Sequence, residues 1–165
     1  MLEHSRRWEA LGAELRCARA HALGEREATA SLVVAGLGDP YNTGNFWSEA
    51  VRVLAPGGHV LFTMPSFDWA ERYREEERSP LDRAAFALRD GQVVYLASLI
   101  YSLDEQVRTI RAAGLTLIRF DALDISDLGI EPVSQKIRIV GASTPIVWGF
   151  LARKPMVVAP GPPSY

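Results

Sequence analysis

The sequence predicts a mixed α/β domain, with a mostly parallel sheet, an antiparallel C-terminal strand and helices on both faces. Three observations predict it. Residues 31–37 and 59–64 are continuous apolar runs, as strands buried in a parallel sheet require. Between them, apolar positions recur at helical spacing, so residues 31–64 have the length of a strand, helix, strand unit with a right-handed crossover. Near the C-terminus, residues 136–140 and 145–152 are two strand-like runs joined by Gly141-Ala142-Ser143-Thr144, which predicts an antiparallel pair.

Composition bounds the function classes. A chain of 165 residues, 48% hydrophobic and 23% charged, has the size and make-up of one globular domain. Its 18 basic and 20 acidic side chains offer no general attraction for a polyanion, so neither nucleic acid nor an acidic membrane is an expected partner. Arg72, Arg74 and Arg78 are interleaved with Glu71, Glu75, Glu76 and Glu77, which reads as a solvated helix face. A single cysteine, Cys17, excludes an internal disulfide and a thiolate zinc site; a reducing cytoplasm fits, with Cys17 as a buried, inert thiol. No window reaches the ~20 apolar residues of a membrane helix.

The remaining elements follow in order. Residues 2–11 suit a short helix ended by Gly12, and residues 15–22 a weak strand. Phe46, Trp47, Ala50, Val51 and Leu54 mark the amphipathic helix, with Asn45 placed to cap it and Pro56-Gly57-Gly58 to stop it. Residues 67–78 form a charged helix, and residues 84–99 a hairpin turning at Asp90-Gly91. Ser102 and Glu105 have capping-box spacing before a helix that runs to Gly114, and residues 115–120 are a strand. Asp121, Asp124 and Asp127 lack the glycine and terminal glutamate of a calcium loop at the required offsets, so they are expected to cap turns, with no metal. The tail, residues 155–165, carries four prolines and few charges and is expected to be disordered.

Four features in succession resemble the second half of the class I S-adenosylmethionine-dependent methyltransferase fold. They are the strand 32–37 with its polar turn, the helix 46–54, the sequence Arg52-Val53-Leu54-Ala55-Pro56-Gly57-Gly58-His59-Val60-Leu61-Phe62, and the closing antiparallel pair. The third is the most specific. The stretch Gly38-Asp39-Pro40-Tyr41-Asn42 with Phe46-Trp47, then Phe62-Thr63-Met64-Pro65-Ser66 and Trp69, is similar to a bacterial subgroup of these enzymes. The resemblance spans most of residues 15–154. It implies a partial Rossmann-like sheet in an incomplete domain, residues 1–154, with a helix-hairpin insertion at about residues 67–101. It also implies S-adenosyl-L-methionine as cofactor of the complete protein and an unidentified small-molecule methyl acceptor. The glycine-rich cofactor loop and first strand of that family have no counterpart here, so the chain is expected to be a truncated, acceptor-side portion. A sheet edge left open in this way is expected to favour a homodimer. The alternatives are a non-catalytic interaction or assembly module built on a methyltransferase remnant and, in a third class, a nicotinamide-dependent oxidoreductase.

Methyl transfer from a sulfonium is an in-line displacement, so the protein must hold the acceptor and exclude water. Asp39, Tyr41 and Asn42 follow the carboxyl end of a central strand, where open parallel sheets place their ligands. They are the candidate catalytic residues: Asp39 takes a proton from the acceptor or orients it, and Tyr41 and Asn42 shape the pocket. A plain turn held by Asp39 and Pro40 explains the same residues equally well. Gly36, Leu37 and Gly38 are candidate cofactor contacts, although Tyr41 stands where a dinucleotide fingerprint needs its third glycine. His21 falls where the family often carries an acidic residue near the adenine, which makes it a cofactor candidate beside the reading of a solvent-facing histidine. Asp39-Pro40-Tyr41-Asn42 lacks the second proline of the Asp-Pro-Pro-Tyr of amino-group methyltransferases, which argues against a nucleobase acceptor. Pro65, Ser66, Trp69 and Tyr73 lie just beyond the second apolar run and are the candidate substrate-binding residues, with the inserted helix and hairpin as a lid; packing also suits Trp69 and Tyr73.

Overall fold

In the computed structural model, residues 5–77, 80, 82–88, 90–128 and 144–156 are described. The apolar run and the periodic segment after it form strand β1 (Ala30–Ala35) and helix α1 (Gly44–Val53), and the chain returns as strand β2 (Leu54–Pro65). β1 and β2 are parallel neighbours, with Leu32 opposite His59 and Ala35 opposite Phe62. Helix α1 buries Phe46, Trp47, Ala50 and Val53. Its cap is Thr43, whose Oγ1 accepts from the Phe46 N–H at 3.4 Å; Asn45, the expected cap, lies inside the helix. The α1 carboxyl end is closed by Lys154, whose Nζ donates to the carbonyls of Val51 at 2.8 Å and Leu54 at 2.7 Å, a cation at the negative end of the helix dipole.

Pro56-Gly57-Gly58 belongs to β2, which begins as soon as α1 ends. The third of these residues must be small. A Cβ on Gly58 would stand 2.9 Å from the carbonyl oxygen of Ala55 and 3.0 Å from that of Ala30, so any side chain there drives β1 away from β2.

Helix α2 (Phe67–Glu77), strands β3 (Arg83–Ala87) and β4 (Val93–Ala97), helix α3 (Leu103–Ala112) and strands β5 (Thr116–Leu123) and β6 (Val147–Arg153) complete the fold. β3 and β4 form the expected hairpin, with Gly91 at φ 84° and Asp90 Oδ1 accepting from the Gln92 N–H at 3.0 Å. Ser102 and Glu105 cap α3 as expected. The main sheet has the order β1-β2-β6-β5, and β6 is antiparallel to both neighbours. β1, β2 and β5 therefore run one way and β6 the other, as the sequence predicts. The strand expected over residues 136–140 lies outside the described residues, as does the tail beyond Met156.

Other expectations are corrected. Residues 15–22 make only an isolated bridge between Arg19 and Ala22, and Cys17 is exposed. The segment before Gly12 is a 3-10 helix over Arg6–Leu11 with no buried residue. The two faces of the sheet differ in burial among the described residues. On one, α1 and α3 enclose Trp47, Phe62, Phe150 and Ile110, whereas Leu32, Val34 and Leu61 on the opposite face are exposed. Asp121 pairs with Arg119 in place of the expected turn, whereas Asp124 and Asp127 cap a turn as expected.

Glu49 ties the segment before β1 to α1. Its carboxylate accepts from Arg52 at 2.7 and 2.8 Å and from the Leu23 N–H at 2.8 Å, which lowers its pKa from 4.5 to about 2. A carboxyl group with a lowered folded-state pKa stabilises fully above its unfolded value and loses that contribution as pH falls through the folded one. Urea unfolding of the native protein and Glu49→Gln is therefore expected to show a constant stability gap above about pH 4.5 that closes between 4.5 and about 2.

Candidate functional site

The site is built at the carboxyl end of β1. Past Ala35 the chain is pinned to β2: the Leu37 N–H donates to Thr63 Oγ1 at 2.9 Å, and the Gly38 N–H to the Thr63 carbonyl at 2.8 Å. Leu37 accepts a left-handed conformation, φ 50°, to make this turn. Gly38 lies against the Phe62 ring, which any Cβ at that position would overlap. The 3-10 turn Asp39–Tyr41 follows, with Pro40 at its start, and delivers the Asp39 side chain into the interior.

A cavity of about 250 Å³ opens over Asp39. Its walls are largely apolar, from Leu37, Pro65, Trp69, Tyr73, Phe86 and Ile100, and its polar floor is Asp39, Ser98 and Arg74. Asp39 Oδ2 accepts from Ser98 Oγ at 2.8 Å, and Arg74 donates through Nη2 to the Ser98 carbonyl at 2.8 Å and to Ser98 Oγ at 3.2 Å. The Leu99 N–H donates to the Asp39 carbonyl at 2.9 Å, which holds the segment after the β3–β4 hairpin against the β1 loop. Asp39 and Arg74 are 8% and 7% exposed, so both charges are nearly withdrawn from water. Burial raises the Asp39 pKa, against the lowering effects of the Ser98 hydrogen bond, the residue's own backbone and the Arg74 charge. Burial likewise lowers that of Arg74, with Asp39 and Asp82 opposing. A desolvated carboxylate with a raised pKa is a stronger hydrogen-bond acceptor and base than one in water.

Five of the candidates named from sequence meet in this cavity: Leu37, Asp39, Pro65, Trp69 and Tyr73. Trp69 and Tyr73, one helical turn apart, stack with planes 4° apart and centroids 5.4 Å apart. Six others have different surroundings. Asn42 is fully buried: its Oδ1 accepts from Trp47 Nε1 at 2.9 Å, and its Nδ2 donates to Gln106 Oε1 at 2.7 Å and to the Leu99 carbonyl at 3.1 Å. It joins α1 to α3 and is absent from the cavity lining. Tyr41 is half-buried against Phe46, and its hydroxyl pKa is raised by burial and by Asp39. Ser66 caps α2, accepting from the Trp69 N–H at 3.2 Å and donating to the Pro145 carbonyl. Gly36 is exposed, and Gly38 is closed off by Phe62. His21, with no strand beneath it, is exposed near Glu49.

Sequence reasoning missed Ser98 and Arg74. Arg74 lies in a charged run, but it falls four residues after the buried Ala70, on the stripe that carries Tyr73. That spacing was the available signal.

The Leu37 and Gly38 N–H groups, the nearest thing to a cofactor loop, are both spent on Thr63. Both groups are therefore already satisfied within the protein.

No family model matches the sequence, and no curated protein is similar to it in sequence. Solved structures match its fold. A methyltransferase dependent on S-adenosylmethionine from Methanosarcina mazei superposes with a TM-score of 0.62, at 14% identity, over 87% of this chain and 68% of its own. Another from Mesorhizobium loti gives 0.60 at 12% identity over 92% of this chain and 76% of its own. The 1,6-didemethyltoxoflavin-N1-methyltransferase of Burkholderia thailandensis, solved with 1,6-didemethyltoxoflavin and S-adenosylhomocysteine bound, gives 0.53 at 13% identity over 93% and 56%. The protein thus has the class I S-adenosylmethionine-dependent methyltransferase fold.

Asn42→Ala removes the partner of two buried groups, Trp47 Nε1 and Gln106 Oε1. The expected result is a loss of about 1–3 kcal/mol in denaturant unfolding, with the circular dichroism of the folded state retained.

Proposed function

We propose that this protein takes part in S-adenosylmethionine-dependent methyl transfer to a small-molecule acceptor, and that this chain supplies the acceptor side of the domain. The observation that carries the reading is the buried Asp39 at the carboxyl end of β1, facing a largely apolar cavity in a fold shared with such enzymes. Bound S-adenosylmethionine supplies an electrophilic methyl group. The residues of this chain have three tasks: the apolar walls hold the acceptor and keep water out, Asp39 receives the hydrogen bond or proton of its attacking group, and Ser98 with Arg74 fixes the carboxylate in place.

A second reading, an interaction or assembly module, is favoured by the exposed Leu32, Val34 and Leu61 beside the outer edge of β1. In that case a second copy of the chain covers the face, and self-association without transfer is the signature.

The test is label transfer. The full gene product, incubated with methyl-labelled S-adenosylmethionine and a small-metabolite extract, is expected to label a small molecule. Asp39→Asn is expected to slow that transfer by about 10²–10⁴-fold while the fold is retained. Self-association with no labelled product in any fraction would favour the module.

A further inference from the structure

The cavity holds more information than its position at the end of β1. Its floor joins one buried acid and one buried base through a single hydroxyl: Ser98 Oγ donates to Asp39 and receives from Arg74. The two charges cancel, and one guanidinium nitrogen of Arg74 is committed to both oxygens of Ser98. Arg83 lines the mouth, largely exposed and 3.8 Å from the Asp82 carboxylate, so its charge is shared with Asp82 and screened by water, unlike that of the buried Arg74. An anion entering here would be desolvated without an uncompensated cation to receive it, which is costly in a low-dielectric site. A neutral group with one donor hydrogen, by contrast, finds in Asp39 a desolvated acceptor whose proton affinity is raised.

Shape narrows the occupant further. One wall is the Trp69–Tyr73 stack, aligned within 4°, and Pro40, Pro65, Phe86 and Ile100 add further apolar surface around the cavity. Parallel flat rings favour a flat guest in offset stacking. We infer that the acceptor is a neutral, planar aromatic or heteroaromatic molecule bearing a hydroxyl or N–H group, stacked beside Trp69 with that group on Asp39. This inference rests on the acceptor-side reading above and specifies its substrate class.

Calorimetric titration of the full chain without any methyl donor tests it, using four probes of similar size. β-Naphthol is flat, neutral and carries a hydroxyl; naphthalene lacks the hydroxyl, β-naphthoate is anionic, and menthol has a hydroxyl without flatness. β-Naphthol is expected to bind at least about ten-fold more tightly than each of the others. Trp69→Leu, checked for folding by circular dichroism, is expected to weaken it by about ten-fold. Equal or tighter binding of β-naphthoate, equal binding of menthol, or no saturable binding of β-naphthol would overturn the inference. Because no donor is present, failure of label transfer leaves this ranking standing, and a failed ranking leaves label transfer to be read separately.

Discussion

The site depends on how Thr63 holds the end of β1. Its hydroxyl and its carbonyl take the N–H groups of Leu37 and Gly38, so the loop leaves the sheet at a fixed angle and the next residue, Asp39, turns inward. This grip requires β1 and β2 to be parallel neighbours in a single register, because Ala35 must lie opposite Phe62 for residue 37 to reach Thr63. Gly58, close to the Ala30 carbonyl, allows that approach at the other end of the strands. A slip of one residue would exchange the faces of β1 and leave the loop unpinned.

Two polar clusters sit on either side of this loop and have different purposes. Below it, Asn42 receives Trp47 and donates to Gln106 and Leu99, a neutral amide network inside the core whose members lie on α1, α3 and the segment after β4. Above it, Asp39, Ser98 and Arg74 form a charged cluster that opens onto the cavity. Buried neutral amides with partners favour one arrangement of the elements, whereas a buried acid on a cavity wall presents its charge to whatever enters. The hairpin end shares in both, since Leu99 bonds Asn42 through its carbonyl and Asp39 through its N–H. The end of the hairpin and the loop after β1 are thereby joined.

Much of this was legible in the sequence where the signal is local. The β1, α1, β2 unit follows from two apolar runs and a helical period, and the hairpin from Asp90-Gly91, because each needs only neighbours in the chain. The place of Asp39, just past the carboxyl end of β1, was readable because the apolar run before it ends at Leu37. What was not legible depends on partners far along the chain. The buried amide network of Asn42 was not legible because Gln106 lies 64 positions away. Arg74 looked solvated because Ser98, the group that holds it, lies beyond the hairpin, 24 positions on. Residues 15–22 looked like a strand from composition alone, but they find no strand to pair with among the described residues, and composition without a partner does not make a sheet. Cap position shifted from Asn45 to Thr43 because either residue type caps well and only the incoming backbone angle, extended at Thr43, decides.

The direct measurement of the central claim is the titration of the Asp39 carboxyl carbon by nuclear magnetic resonance. Removal from water at the cavity floor places its midpoint above the ordinary 3.8, and an aromatic hydroxyl ligand shifts its resonance. A midpoint at or below 3.8, unmoved by any such ligand, would mean that burial does not dominate at Asp39 and would contradict the reading of the cavity as a site.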